Sequence, residues 1–316
     1  MRTAYLLMAV AVLADWGCGG SHAQQTTANS PRHAEDVLRK LVAKADLVPG
    51  GGRLTDDFSS VVPGTRLPRR VLQLLQNEAL RRGIGAEPGF QMDDGRCAFV
   101  WFIGGGVKGH DDREVLKRLK ARAIEMGFLP REPTGTRLPA GGERPGEWTE
   151  YWRGNEELEE RFLIKDHLFF RHEVVDIDMI FDVRTVHRVP PPTYAQVIGA
   201  APYLKALPIG ANSIPEAALA VLADRPVTRL LLSGNPWDNY DVFLPIEKVP
   251  PRDQAILLDR LSTALRANGF STTQYLDGRP RPEIIVDLDR KTPPKGMMVE
   301  VRRQDDEYWV KFIAGL

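Results

Sequence analysis

The sequence predicts an α+β protein: two tandem, related helix-plus-antiparallel-sheet modules, a strand–helix–strands unit duplicated, after a signal segment. Three observations carry that expectation. Residues 100–128 and 242–270 align at a constant offset of 142 without a gap, and eight of the 29 aligned positions are identical. They are Val100/Val242, Val107/Val249, Asp111/Asp253, Leu116/Leu258, Arg118/Arg260, Leu119/Leu261, Gly127/Gly269 and Phe128/Phe270. Apolar residues recur at helical spacing in some segments and alternate in others, the mixture that packs as two layers. Finally, Pro190-Pro191-Pro192 separates the copies as a stiff, extended spacer.

A repeat of this length marks one structural unit used twice. The expected organisation is an export signal over 1–23, a flexible polar tether over 24–33 and an N-terminal α+β module over 34–189. The Pro linker 190–192 and a C-terminal α+β module over 193–316 complete it. A chain of 316 residues holds two domains of ordinary size, each with its own core.

Composition excludes several classes of function. Lys+Arg and Asp+Glu both number 42, so the chain lacks the electrostatic footprint of a nucleic-acid binder, and no nucleic-acid partner is expected. Only Cys18 and Cys97 occur, too few for a disulfide framework or a cysteine zinc site. Cys97 opens an apolar run and reads as a small buried hydrophobe.

The N-terminus reads as an address. Arg2 precedes a largely apolar run over 4–14, too short to span a bilayer but suited to the core of a secretory signal. Two exits compete. Ser21-His22-Ala23 fits cleavage before Gln24, whereas Gly17-Cys18-Gly19-Gly20-Ser21 resembles the acylated cysteine of a bacterial lipoprotein, with the signal ending before Cys18. The expected location is therefore periplasmic, secreted or lipid-anchored at the cell envelope. Membrane contact is expected only through that anchor.

Taken in order, 34–45 carries Val37, Leu38, Leu41 and Val42 at helical spacing, and Pro68 opens a second helical stripe ending at Gly83 and Gly85. The first copy of the repeat begins near Cys97. Its helix is expected to bury Leu116, Leu119, Ala123 and Met126 behind an N-cap at Asp111 or Asp112. Gly127 and Gly269 stand where a helix ends in a left-handed residue, each followed by a phenylalanine that folds back. Residues 148–152, 160–165 and 168–181 read as strands, with turns at Asn155 and Asp166-His167. After the prolines, 215–223 reads as a helix, and 228–232, 283–289, 297–303 and 308–313 read as strands.

Three features are weighed for chemistry. In 167–182, Val175, Ile177, Met179 and Phe181 alternate with Asp176, Asp178 and Asp182, a strand with one dry face and one wet face. His172, Asp176 and Asp178 share its wet side and are the candidate metal ligands. The competing reading is a solvated face that also discourages edge aggregation, and it covers Asp287 and Asp289 as well. The glycine-rich stretch with Gly104, Gly105, Gly106 and Lys108 has the outline of an anion-binding loop before a helix, although the Gly-Lys-Ser/Thr ending of a P-loop is absent. Aromatics at Phe90, Trp237 and Tyr240 precede the core strand of each copy, either as a binding surface or as plugs onto the core.

No nucleophile elbow, dinucleotide fingerprint, His-Glu-x-x-His or Cys-x-x-Cys occurs, so no cofactor is implied. The leading expectation is an exported, non-enzymatic envelope protein acting in binding or structure, with a protein or small-ligand partner. The competing one is a metal-assisted hydrolase using His172, Asp176 and Asp178.

Overall fold

Twelve strands join into one antiparallel sheet in the computed structural model, which describes residues 31–44, 84–108, 112–131, 148–168, 174–205, 214–233, 239–273, 284–292 and 296–314. The side chains of 102–116 and 165–178 lie outside that description. The strands are β1 (Ile84–Asp93), β2 (Arg96–Lys108), β3 (Leu129–Arg131), β4 (Trp148–Gly154), β5 (Leu158–Leu168) and β6 (Val174–Thr185). They continue as β7 (Arg229–Ser233), β8 (Asn239–Pro245), β9 (Phe270–Thr272), β10 (Ile284–Arg290), β11 (Met297–Gln304) and β12 (Glu307–Ala314). Five α-helices accompany them among the described residues: α1 (Pro31–Lys44), α2 (Asp112–Glu125), α3 (Tyr194–Ala200), α4 (Glu216–Leu222) and α5 (Pro251–Ala267). The fold class is α+β.

Inward from one edge the strands run β3-β4-β5-β6-β2-β1, and inward from the other they run β9-β10-β11-β12-β8-β7. Each half thus places six strands in the same succession. The halves meet where β1 pairs antiparallel with β7, through Gly89↔Leu231, Phe90↔Leu230 and Gln91↔Arg229. One further bond, from the Met92 N–H to the Thr228 carbonyl at 2.6 Å, extends that seam.

The three longest described helices bury their apolar stripes in one core on the sheet. Leu38 and Leu41 of α1, Leu119 and Ala123 of α2, and Leu257, Leu261 and Leu265 of α5 all belong to one continuous core. Their spacing of three or four residues puts each set on one helical face. The sheet answers with Phe99, Trp101, Phe162 and Phe181 in the first half and Tyr240, Val242, Val310 and Phe312 in the second.

Helices α2 and α5 stop as expected. Gly127 has φ 83° and Gly269 has φ 85°. At α2 the Gly127 N–H donates to the Ile124 carbonyl and the Phe128 N–H to that of Ala123, the paired bonds of a Schellman cap. Phe128 and Phe270 then turn under their helices and are 0% and 3% exposed. α5 starts differently: Pro251 takes the first helical position and Asp253 lies within the first turn, so that aspartate is no cap. Position 111, the corresponding residue before α2, lies outside the described residues.

Several expectations need correction. The gapless alignment sets Val100 against Val242, and both are buried. Side chains alternate along a strand. Trp101 joins the helix-side core, so Val100 faces away from the helices, whereas Val242 faces them. The gapless alignment is therefore out of step with the strand faces between strand and helix. Asp166-His167 is not a turn, since β5 runs through it to Leu168. Chain missing from the expected list includes β1, which meets β2 through an Asp94-Gly95 hairpin with φ 50° and 75°. That dipeptide is a strong hairpin signal between apolar runs. Pro192 is buried, its carbonyl accepts from the Val227 N–H, and the Val189 N–H donates to the Gly95 carbonyl. The proline segment is thus fastened to both halves. The expected helix after Pro68 lies outside the described residues.

Candidate functional site

The face of the sheet away from the helices carries most of the organised polar chemistry. Cross-strand register lines up one row over eight of its strands: Glu159, Arg184, Ala98, Gln91, Arg229, Phe243, Trp309 and Arg302. The parallel row runs Trp152, Arg161, Asp182, Val100, Gly89, Leu231, Asp241, Lys311 and Glu300.

In the first half these rows form a buried ion network. Asp182, with no exposed surface, accepts from Arg161 Nε at 2.8 Å and from Arg184 Nη2 at 2.9 Å. Arg184 also reaches Asp93 at 2.7 Å. Burial opposes the Arg184 charge, yet the adjacent Asp182, helped by Asp93 and Glu159, raises its pKa above the ordinary arginine value. Glu150 accepts from Trp152 Nε1 at 3.0 Å, and the Arg131, Arg161 and Arg184 guanidiniums lie 5.3–5.7 Å from the Trp152 ring centre. A carboxylate this deep is tolerable only when fully paired.

The second half carries a stack instead. Arg229 lies over the Phe243 ring at 3.7 Å, and Phe243 stacks on Trp309 with 5.7 Å between centres and 6° between planes. Arg302 and Lys311 approach the Trp309 ring at 5.2 and 5.1 Å. Cation and ring attract through the ring quadrupole, and the column holds its members upright on the sheet. At one end of it a cleft of about 370 Å³ opens between Thr228-Arg229, the turn at Pro245, Glu247 and Lys248, and the β11–β12 turn over 304–307. Sequence reading missed this column, because Arg229, Phe243 and Trp309 are far apart in the chain and meet only through strand register.

The sequence-derived candidates fall as follows. His172 and Cys18 lie outside the described residues. Asp176 and Asp178 are alternate positions of β6, in register with His167 and Lys165 of β5 on one side and with Gly106 and Gly104 of β2 on the other. β6 is an interior strand, so its aspartates do not guard an edge. Along the β5–β6 ladder Arg161↔Asp182 and Glu159↔Arg184 set opposite charges across from each other, and Lys165↔Asp178 and His167↔Asp176 continue the sequence of opposite types. That complementarity accounts for Asp182, which both arginines reach. Asp287 lies instead across from Glu300.

Gly104, Gly105, Gly106 and Lys108 do not form a loop. They extend β2, paired to β6 throughout and to β1 at 104 and 105. At Gly104 and Gly105 the backbone lies in a ladder on both sides, which leaves no donors there to cradle an anion. Cys97 is 2% exposed and its Sγ sits 3.3 Å from Met92 Sδ; burial pushes its thiol up to about 12. Phe90 and Tyr240 have no exposed surface and act as plugs onto the core. Tyr240 shares a hydroxyl hydrogen bond with Tyr194, and burial raises both phenols, Tyr194 to about 12. Among the described residues no group of His, Cys, Asp and Glu is arranged to hold a metal ion, and no helix is long and apolar enough to cross a membrane.

No family model matches the chain, and no curated protein matches its sequence.

Proposed function

We propose that the protein is exported and acts at the cell envelope as a non-enzymatic binding or structural element built from a duplicated α+β module. The duplication is supported by the equal strand succession of the halves and by Leu119 and Leu261, 2% and 1% exposed on corresponding helices. Export is supported by the apolar run over 4–14 and its two competing exits at Cys18 and Ala23. The observation that carries the binding reading is the helix-free face of the second half. There an ordered Arg229–Phe243–Trp309 column, with Trp309 and Lys311 part-exposed, stands beside an open polar cleft.

Cell fractionation tests the location. Export predicts a processed N-terminus, and retention of the full chain inside the cell overturns it. With an acylated Cys18, Cys18→Ser moves the protein from membranes to the soluble fraction, whereas a soluble wild type starting at Gln24 selects the other exit. Metal analysis of the purified protein tests the non-enzymatic part. Tightly held stoichiometric metal that disappears in His172→Ala replaces it with the hydrolase.

A further inference from the structure

We propose that the cleft between β7, the turn after β8 and the β11–β12 turn binds a small zwitterion of dipeptide size, its carboxylate toward Arg229 and Lys248 and its ammonium toward Asp305 and Asp306. This names a ligand class for the binding reading above and rests on it. The volume, about 370 Å³, lies within the range of small-molecule sites. Three separate segments of chain supply the lining, so the cleft is a product of the fold rather than of one loop.

Its charges are of both signs and incompletely matched. Arg229 rests one face of its guanidinium on Phe243, and its buried Nε has no hydrogen-bond partner in the protein. The lining carboxylate Glu307 accepts a hydrogen bond from the Thr228 hydroxyl. Burial lowers the Arg229 pKa below the ordinary arginine value, and Glu307 and Asp241 offset it only in part. A ligand carboxylate beside Arg229 completes that pairing with a charge-assisted hydrogen bond. A purely anionic ligand meets repulsion from Glu247, Asp305 and Asp306, which are exposed at the rim. A purely cationic one meets Arg229 and Lys248. Only a molecule with both charges satisfies both walls.

Calorimetric titration of the full chain with alanyl-alanine, its N-acetyl form and its C-terminal amide tests this. The dipeptide should bind saturably with a Kd of about 1 mM or below, and each blocked form should bind about tenfold more weakly or worse. Arg229→Gln and Lys248→Gln should each weaken binding by about tenfold. Lys291→Gln, exposed and outside both the cleft and the aromatic column, should leave it unchanged. Because Arg229 also props Phe243, the exposed Lys248 keeps the test independent of folding. Absence of saturable heat up to about 10 mM, equal binding of the blocked forms, or equal loss in Lys291→Gln overturns the proposal. Fractionation and metal content are read separately, so failure here is distinguishable from failure of the broader function.

Discussion

Gly89 faces Leu231 across the seam between the two halves, and a Cβ on the glycine would stand 2.6 Å from the leucine Cδ2 and 3.0 Å from the Leu230 carbonyl oxygen. The leucine can give way, but the carbonyl belongs to the β7 ladder. Gly89→Ala should therefore destabilise the protein by about 1–3 kcal/mol, the usual cost of overpacking. Combining it with Leu231→Ala should recover part of that loss. Urea unfolding of the two variants and the pair measures it, and an unchanged midpoint for Gly89→Ala would show the seam to be loosely packed.

Asp182 is the anion that two arginines share. Replacing it with asparagine keeps the volume but removes the buried anion the two arginines share, leaving Arg184 the half-exposed Asp93 and Arg161 the longer contact to Glu150. The expected loss is about 3–5 kcal/mol. Glu157→Gln serves as the comparison. Its salt bridge to Lys40 joins side chains 66% and 58% exposed, and exposed pairs contribute about 0–1 kcal/mol. Equal effects in the two variants would contradict the burial argument.

Leu119→Ala and Leu261→Ala should each cost about 2–5 kcal/mol, since both side chains are buried in the helix-side core. Alanine at the exposed Lys117 or Asp259 should change stability by under about 0.5 kcal/mol. Denaturant titration of all four distinguishes these, and a silent Leu261→Ala would separate the two helices in role.

Alkaline pH should unfold the protein progressively. The Cys97 thiol rises from 9.0 to about 12 and the Tyr194 phenol from 10.0 to about 12, in each case mainly through burial. The unfolded chain gives up these protons first, so their contribution is complete below pH 9 and is lost as pH rises toward 12. The slope is about 1.4 kcal/mol per pH unit for each group titrating. Stability measured from pH 7 to 11 should be flat and then fall. Cys97→Ala should remove the part of the fall that begins near pH 9 and Tyr194→Phe the part that begins near pH 10.

The element types were legible because local periodicity records which side of a helix or strand is dry. The 38–41 stripe, the strands expected at 283–289, 297–303 and 308–313 and found within a residue of those bounds, and the Gly-Phe stops at 127–128 and 269–270 all came from spacing alone. The glycine stretch was misread for the same reason. Without a knowledge of pairing, Gly104 and its neighbours look like a loop, because nothing local records that β1 and β6 lie on either side.

What the tertiary structure decided is which strand lies beside which. Strand register places Asp182 between two arginines, brings Arg229, Phe243 and Trp309 into one column, and closes β1 onto β7 at Gly89. The same register reveals that Val100 and Val242, aligned in sequence, face opposite sides of the sheet. An alignment out of step by one residue is nearly silent in the sequence, but with side chains alternating at period two it reverses the face of everything in the strand.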